Sequence, residues 1–273
     1  MRGLKAIMTA CLLWGMVLPL TADGPAVPPK PDVDLPFPIG EVLEYSLFWG
    51  WIGVGTSVAE TRWELRENRW YIVIQFQTRT NNVLRRLYPV DDHVETWIDA
   101  ETLRPIEFTT VLRAGRHYRN EKTTFDWERN LAVYQRFRED GQVETKTYEV
   151  EASARDLVSF MYFMRNKDLP PDSSFEYEVI VNDKLYELEV NTRETERVNL
   201  KNYGRIDSIR VDPRASFEGV FVRRGEMSVW VSEDPRRILT KLEVDTPFAS
   251  VKILLRNVRG PGDDFWIEDA EPE

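Results

Sequence analysis

Short runs in which apolar and polar residues alternate recur from Glu41 to Val258, separated by turn residues, and this repetition restricts the fold more than any other feature of the chain. A period of two sends successive side chains to opposite faces, so each run describes a half-buried strand. In residues 41–49, Leu43, Tyr45, Leu47 and Trp49 alternate with Val42, Glu44, Ser46 and Phe48. In 69–80, Trp70, Ile72, Ile74 and Phe76 share one face, with Gln75, Gln77 and Arg79 on the other. Similar runs occupy 59–65, 90–99, 106–113, 117–127, 131–139 and 143–150. A second series covers 175–181, 185–190, 193–200, 205–211, 217–222, 227–232, 238–244 and 249–258. The connections are short and rich in turn formers: Glu67-Asn68, Ala114-Gly115, Glu128-Arg129-Asn130, Asp140-Gly141 and Asn182-Asp183. Short reversals make an antiparallel meander, and so many strands must split into two layers or curl toward a barrel.

One segment breaks the pattern. Residues 153–169 read SARDLVSFMYFMRNKDL. Ser153 and Asp156 form a helix start signal, in which a side-chain oxygen accepts from an orphan amide and the carboxylate faces the positive end of the helix dipole. Leu157, Val158, Phe160, Met161, Tyr162, Phe163 and Met164 then cover most of the circumference, which means burial on most sides. Arg165 and Lys167 complement the negative end, and Leu169-Pro170-Pro171 stops the helix. The expectation is a mainly β protein: a large curved antiparallel sheet or half-open barrel with one central buried helix at about 153–168, all within a single domain at 39–259.

Outside that domain the composition changes. Residues 1–22 have the layout of an export leader, with Arg2 and Lys5, an apolar run from Ala6 to Leu18 too short for a good membrane span, and the small residue Ala22 to cut after. Cys11, the only cysteine, falls inside it, so the mature chain is expected to enter an oxidising compartment without a disulfide. Residues 23–38 hold Pro25, Pro28, Pro29, Pro31, Pro36 and Pro38 and are expected to form an extended linker. Residues 260–273 make an acidic tail with no basic residue, in which Phe265, Trp266 and Ile267 are the groups able to dock on the body. Without Arg2 and Lys5 the balance is 34 − 46 = −12, and so acidic a chain with scattered cations argues against nucleic acid.

Chemistry is sparse. Two histidines, His93 and His117, and no mature cysteine remove most zinc, haem and thiol chemistry, so neither a metal nor a cofactor is expected. Asp91-Asp92-His93 is split by alternation, which puts Asp92 on the face opposite the other two, and a polar cluster near a turn accounts for it. Gly50, Gly53 and Gly55 lack the Lys-Ser or Lys-Thr and the helix of a phosphate loop; in strand context they mark a turn, a bulge or a hard bend. Asp156 and Ser159 are explained by capping and by a bond back to the backbone. No catalytic residue is assigned. The aromatic residues and the helix's apolar surface are the features suited to binding, and Trp49, Trp51, Phe160, Tyr162, Phe163, Met164 and Trp230 are the expected ligand-facing set.

Three stretches in order also carry a family resemblance: Phe37-Pro38-Ile39-Gly40-Glu41-Val42-Leu43-Glu44-Tyr45 with Trp51-Ile52-Gly53-Val54-Gly55, then 156–165, then Val229-Trp230-Val231-Ser232-Glu233-Asp234-Pro235-Arg236-Arg237. Together they resemble the exported bacterial family called domain of unknown function 3108, over about 37–255. The resemblance implies export and a mostly antiparallel sheet, with no catalytic residues to transfer. At greater distance the architecture is similar to the curved half-barrels of periplasmic lipoprotein carriers. The functional expectation is a non-enzymatic periplasmic or otherwise exported protein, soluble after leader cleavage. It would hold an apolar or amphipathic, lipid-like ligand between a concave sheet and the helix. The alternative is an envelope scaffold with a filled core that binds a protein partner.

Overall fold

A computed structural model describes residues 27–215, 227–245, 250–261 and 266. The first half holds β1 (Val42–Trp49), β2 (Ile52–Arg66), β3 (Arg69–Thr80), β4 (Asp91–Ile98), β5 (Pro105–Ala114), β6 (His117–Asp126), β7 (Leu131–Phe137) and β8 (Val143–Glu149). A two-residue β9 (Arg155–Asp156) leads directly into α1 (Leu157–Met164). The second half is β10 (Ser174–Val181), β11 (Lys184–Leu200), β12 (Gly204–Ala215), β13 (Met227–Ser232), β14 (Leu239–Asp245) and β15 (Ser250–Arg259).

The fifteen strands of the described residues form one sheet in the order β8-β7-β6-β5-β4-β3-β2-β1-β15-β14-β13-β12-β11-β10-β9. Each half is a meander, and β1 joins them by pairing with β2 on one side and β15 on the other. Only β9 runs parallel to its neighbour, β10. The ladder does not close. Side chains bridge its two ends instead: Lys146 and the Tyr148 hydroxyl on β8 meet Asp183 in the β10–β11 turn, and Arg119 Nη1 donates to Asn182 Oδ1 at 3.1 Å. Phe125, Ala132, Val150, Ala154 and Ile180 form an apolar cluster along the same seam. The expected half-open barrel is therefore a curved sheet with a side-chain seam.

The glycine run marks the sharpest local feature. Gly50 turns the chain at positive φ, and the β1–β2 register shifts between Leu47 and Phe48, opposite Gly55 and Gly53. A Cβ on Gly55 would collide with the Arg79 carbonyl oxygen, so β3 approaches as closely as it does only because the side chain is missing. Gly55→Ala is expected to destabilise the protein by about 1–3 kcal/mol, measured by urea unfolding; an unchanged midpoint would mean that the strands are farther apart.

The helix is shorter than the sequence suggested. Asp156, not Ser153, is its N-cap, because Arg155 and Asp156 are still extended and paired with Val179 and Ile180. Beyond Met164 the chain continues in tighter turns, with Arg165, Asn166 and Lys167 amides each bonding three residues back. Eight residues are too few for a helix to persist alone, so packing on two sides holds it. Val158 and Tyr162, four apart, pack with Ile72, Ile74 and Ile98 of β3 and β4. Phe160 and Met164, also four apart, pack with Val179, Leu188 and Val190 of β10 and β11. The apolar circumference is a wedge between the two halves of the sheet.

Residues 27–38 lie extended against the body. Trp70 Nε1 donates to the Pro28 carbonyl at 2.7 Å, and Lys30 sits 5.2 Å from the Trp70 ring centre. Phe37 is buried edge-on to Tyr162. In the tail, Trp266 does dock: it is buried, packs on Tyr203, and donates through Nε1 to Asp234 Oδ2 at 3.1 Å. The expected leader at 1–22, the expected strand at 217–222, and Phe265 and Ile267 lie outside the described residues.

Candidate functional site

Between α1 and the second half of the sheet is a cavity of about 200 Å³. An apolar cavity of ~150 Å³ already stays dry and admits a benzene-sized guest. Strand alternation builds most of its wall: Val179 and Val181 on β10, Leu188 and Val190 on β11, Val211 and Pro213 on β12, Met227, Val229 and Val231 on β13. On β14 the lining residues are Leu239 and Leu242, three apart rather than two. A register shift resolves this, since Val229 pairs with Leu242 and Val231 with Leu239, leaving Thr240 as the extra residue of a bulge. Leu157, Phe160, Met161, Tyr162 and Met164 make the helix side, and Leu43, Tyr45 and Phe76 complete the enclosure.

The polar groups of the wall are few. Arg165 is committed: Nη1 and Nη2 donate to Glu41 Oε2 and Oε1 at 2.6 and 3.0 Å, and Nε donates to the Arg236 carbonyl at 2.8 Å. Both members of this pair are buried, and the guanidinium lies over the rings of Phe37 and Tyr162. Burial pushes the Tyr45 and Tyr162 phenols up, well above the range in which they ionise. Arg237 differs, because its guanidinium donates to the Glu233 carbonyl at 2.7 Å and takes part in none of the ion pairs formed among the described residues.

At the far end of α1, Asp156 is completely buried and accepts four hydrogen bonds: from the Val158 and Ser159 amides at 2.9 Å each, and from the Ser159 and Thr96 hydroxyls at 2.7 Å each. Thr96 belongs to β4, so the cap also fastens the helix to the first half of the sheet. Burial raises the Asp156 carboxyl above its ordinary range, and the Ser159, Thr96 and Val158 donors offset part of that rise.

Of the expected ligand-facing residues, Phe160, Tyr162 and Met164 line the cavity. Phe163 faces elsewhere, packed edge-on to Tyr177 with the Arg155 guanidinium 4.6 Å and the Lys167 ammonium 4.4 Å from its ring centre. Arg155 is itself buried, and desolvation together with nearby Arg104 lowers its pKa to about 10. Trp230 is buried on the strand face opposite Val229 and Val231, beside Lys241 and Arg210, with Nε1 bonded to Glu196 Oε2 at 2.9 Å. Trp49 and Trp51 are exposed at the β1–β2 turn. The aliphatic wall from β10 to β14 was not selected by sequence reasoning; its signal was the run of valines and leucines at period two, which also describes any core strand. The acidic triplet is likewise divided, Asp91 pairing with Arg79 and Asp92 accepting from the Arg113 amide at 2.8 Å. No group of three or more metal-ligating side chains occurs among the described residues.

An open antiparallel sheet curled around one helix and an apolar cavity defines a β-barrel-like protein. The chain belongs to the family described as Protein of unknown function (DUF3108), whose model matches residues 44–256. Among solved structures it is similar to a β-barrel-like protein of domain of unknown function DUF1849 from Brucella abortus, at 11% identity and a TM-score of 0.53, covering 81% of this chain and 97% of that one. That likeness shows the fold. Lower similarity links it to an exported-protein candidate with a YmcC-like fold from Bacteroides fragilis (9% identity, TM-score 0.36, 83% and 98% of the two chains). A lipoprotein candidate from Parabacteroides distasonis is similar at 11% identity and a TM-score of 0.33, over 84% and 100% of the two chains. No curated protein matches the sequence. Among the described residues no helix is long and apolar enough to cross a membrane.

Proposed function

We propose that this protein is an exported, non-enzymatic binder of an apolar or amphipathic, lipid-like ligand, held between α1 and the concave face of β10–β14. The observation that carries this reading is the cavity, walled almost entirely by aliphatic and aromatic side chains. Burial of apolar surface is the dominant available driving force there, at about 25 cal/mol per Å². The titratable groups at the wall support binding over catalysis: Arg165 is saturated by Glu41, and both phenols are held in their neutral form. Export is supported by the leader-like layout of residues 1–22.

Native mass spectrometry after gentle purification, together with titration of a fluorescent fatty-acid probe, tests the reading. The wild type is expected to carry or take up an acyl ligand. Val229→Phe, which projects a ring into the cavity, is expected to weaken the probe about tenfold, the equivalent of 1.4 kcal/mol, while leaving the circular dichroism spectrum intact. Repeatedly empty protein that ignores the probe would sink the proposal. The cavity weighs against a filled-core scaffold; a specific protein adduct on periplasmic cross-linking, without bound lipid, would favour that role instead.

A further inference from the structure

The end of the sheet where β1 turns into β2 carries an exposed apolar surface that the cavity does not account for. Trp51 is 89% exposed, Leu87 82% and Val83 77%, with Trp49, Ile52 and Tyr88 also open to solvent. They lie in, or at the strand ends beside, two loops joined into one tip: the Asn81 amide donates to the Val54 carbonyl at 3.0 Å and its side chain to the Gly53 carbonyl at 2.6 Å. A third loop completes the tip, since the Gly115 amide donates to the Pro89 carbonyl at 2.8 Å and the Tyr88 ring lies against Gly115. Leaving so many large apolar groups in water at one place is costly and marks a contact surface.

The charges around these groups select the partner. Arg85 and Arg86 end the short 3₁₀ turn Leu84–Arg86, and Arg113 and Arg116 flank Gly115. Among the described residues none of the four forms an ion pair with a carboxylate. Of the nearby acids, Asp91 pairs with Arg79 and also feels Arg85, and Asp92 accepts from the Arg113 amide, which leaves its charge in place. In a chain of net charge −10, Arg79, Arg85, Arg86, Arg113 and Arg116 outnumber these two carboxylates and give the tip an excess of positive charge. Tryptophan and tyrosine beside aliphatic side chains, ringed by arginine, is the composition that settles at a bilayer interface: the rings lie at headgroup depth and the guanidiniums meet phosphate.

We infer that this tip docks the protein on the surface of a bilayer containing anionic phospholipid, with Trp51 and Leu87 entering the headgroup layer and Arg85 and Arg86 contacting phosphates. The contact is peripheral, because only loop side chains are offered. Strand register puts the tip at the same end of the sheet as Met227 of the cavity wall, through the pairs Trp49–Val251, Val251–Val244 and Val244–Met227. The inference does not depend on the cavity being occupied.

Vesicle co-sedimentation of the full chain tests it, with wild type and variants sharing the same amino terminus so that the leader contributes equally. On mixed phosphatidylglycerol and phosphatidylcholine vesicles, Trp51→Ala/Leu87→Ala and Arg85→Glu/Arg86→Glu are each expected to reduce partitioning roughly tenfold. Leu65→Ala, at the opposite end of β2, is expected to bind as wild type does. On pure phosphatidylcholine the charge-reversal pair is expected to have little effect. The four side chains changed in the tip variants, Trp51, Leu87, Arg85 and Arg86, are exposed, so the variants are expected to fold, and circular dichroism checks that they do. Equal partitioning of wild type and both tip variants would overturn the inference. So would unchanged vesicle binding combined with loss of a co-purifying protein from the tip variants, which would assign the patch to a protein partner.

Discussion

Replacing Glu41 with alanine is expected to cost about 3–5 kcal/mol of stability, the range for breaking a buried ion pair from one side. The Arg165 guanidinium would remain almost wholly out of water with its Nε bond to the Arg236 carbonyl and no counter-charge. Arg165→Met is expected to be at least as severe, since it strands a carboxylate that is 1% exposed. The double variant Glu41→Leu/Arg165→Met discriminates between the pair's net contribution and the penalty of half a pair. Replacing both members with apolar groups of similar volume is often nearly neutral, so the double variant should be more stable than either single one. Urea denaturation of the four proteins provides the comparison. A Glu41→Ala cost below about 1 kcal/mol, the value typical of exposed pairs, would mean that water reaches the site. Because Arg165 ties Glu41, just before β1, to the Arg236 carbonyl, both single variants should also loosen the helix's carboxyl-terminal end, read as faster amide exchange at 162–167.

Asp156→Ala is expected to cost about 2–4 kcal/mol. Loss of an N-cap contributes ~0.5–2 kcal/mol, and the Thr96 and Ser159 hydroxyls then lose a buried acceptor, which adds roughly 1–3 kcal/mol if they are left unpaired. The conservative Asp156→Asn variant separates shape from charge. Burial raises the Asp156 carboxyl in the folded protein, so the folded state binds this proton more tightly than the unfolded chain does. Stability from this group is therefore greatest below the ordinary aspartate range and falls as pH rises through the raised value, the reverse of an ion-paired carboxylate. The stability of the wild type relative to Asp156→Asn should decline across that window and level off above it. A difference that grows with pH would show that the four donors outweigh desolvation.

Much of the architecture was legible in the chain because period two is a local property. Each strand's alternation and each Asn, Asp or Gly turn follow from residues close in sequence, and the short reversals fix antiparallel neighbours. Gly53 and Gly55 were correctly separated from a phosphate loop by what did not follow them. The helix was legible as a buried apolar segment, but its start was displaced by three residues. A start signal four residues long offers two residues able to cap, and the choice between Ser153 and Asp156 was made by β10, which holds Arg155 and Asp156 extended.

The candidate site was legible only on the helix. Phe160, Tyr162 and Met164 face the cavity because an all-round apolar helix must bury its surface somewhere; Phe163 is drawn instead to Arg155, Lys167 and Tyr177. Large aromatic residues on strands were a poor guide. Trp230 is one residue out of step with the cavity-lining Val229 and Val231, and alternation turns it to the opposite face. Trp49 and Trp51 sit beyond the end of the ladder, where the turn leaves them in solvent.

Sequence by itself determined most of the strands, the turns and the buried helix, because these depend on neighbours within a few residues, although 185–190 and 193–200, expected as two strands, run together as β11 and β9 was not expected. Tertiary structure decided that Glu41 meets Arg165 across 124 positions, that Thr96 joins the helix cap, and that the Thr240 bulge brings Leu239 and Leu242 into one wall. It also gathered three loops into a single apolar and cationic tip. Each of those outcomes depends on register and sheet curvature, which are set by the packing of the whole sheet and leave no pattern in any single segment.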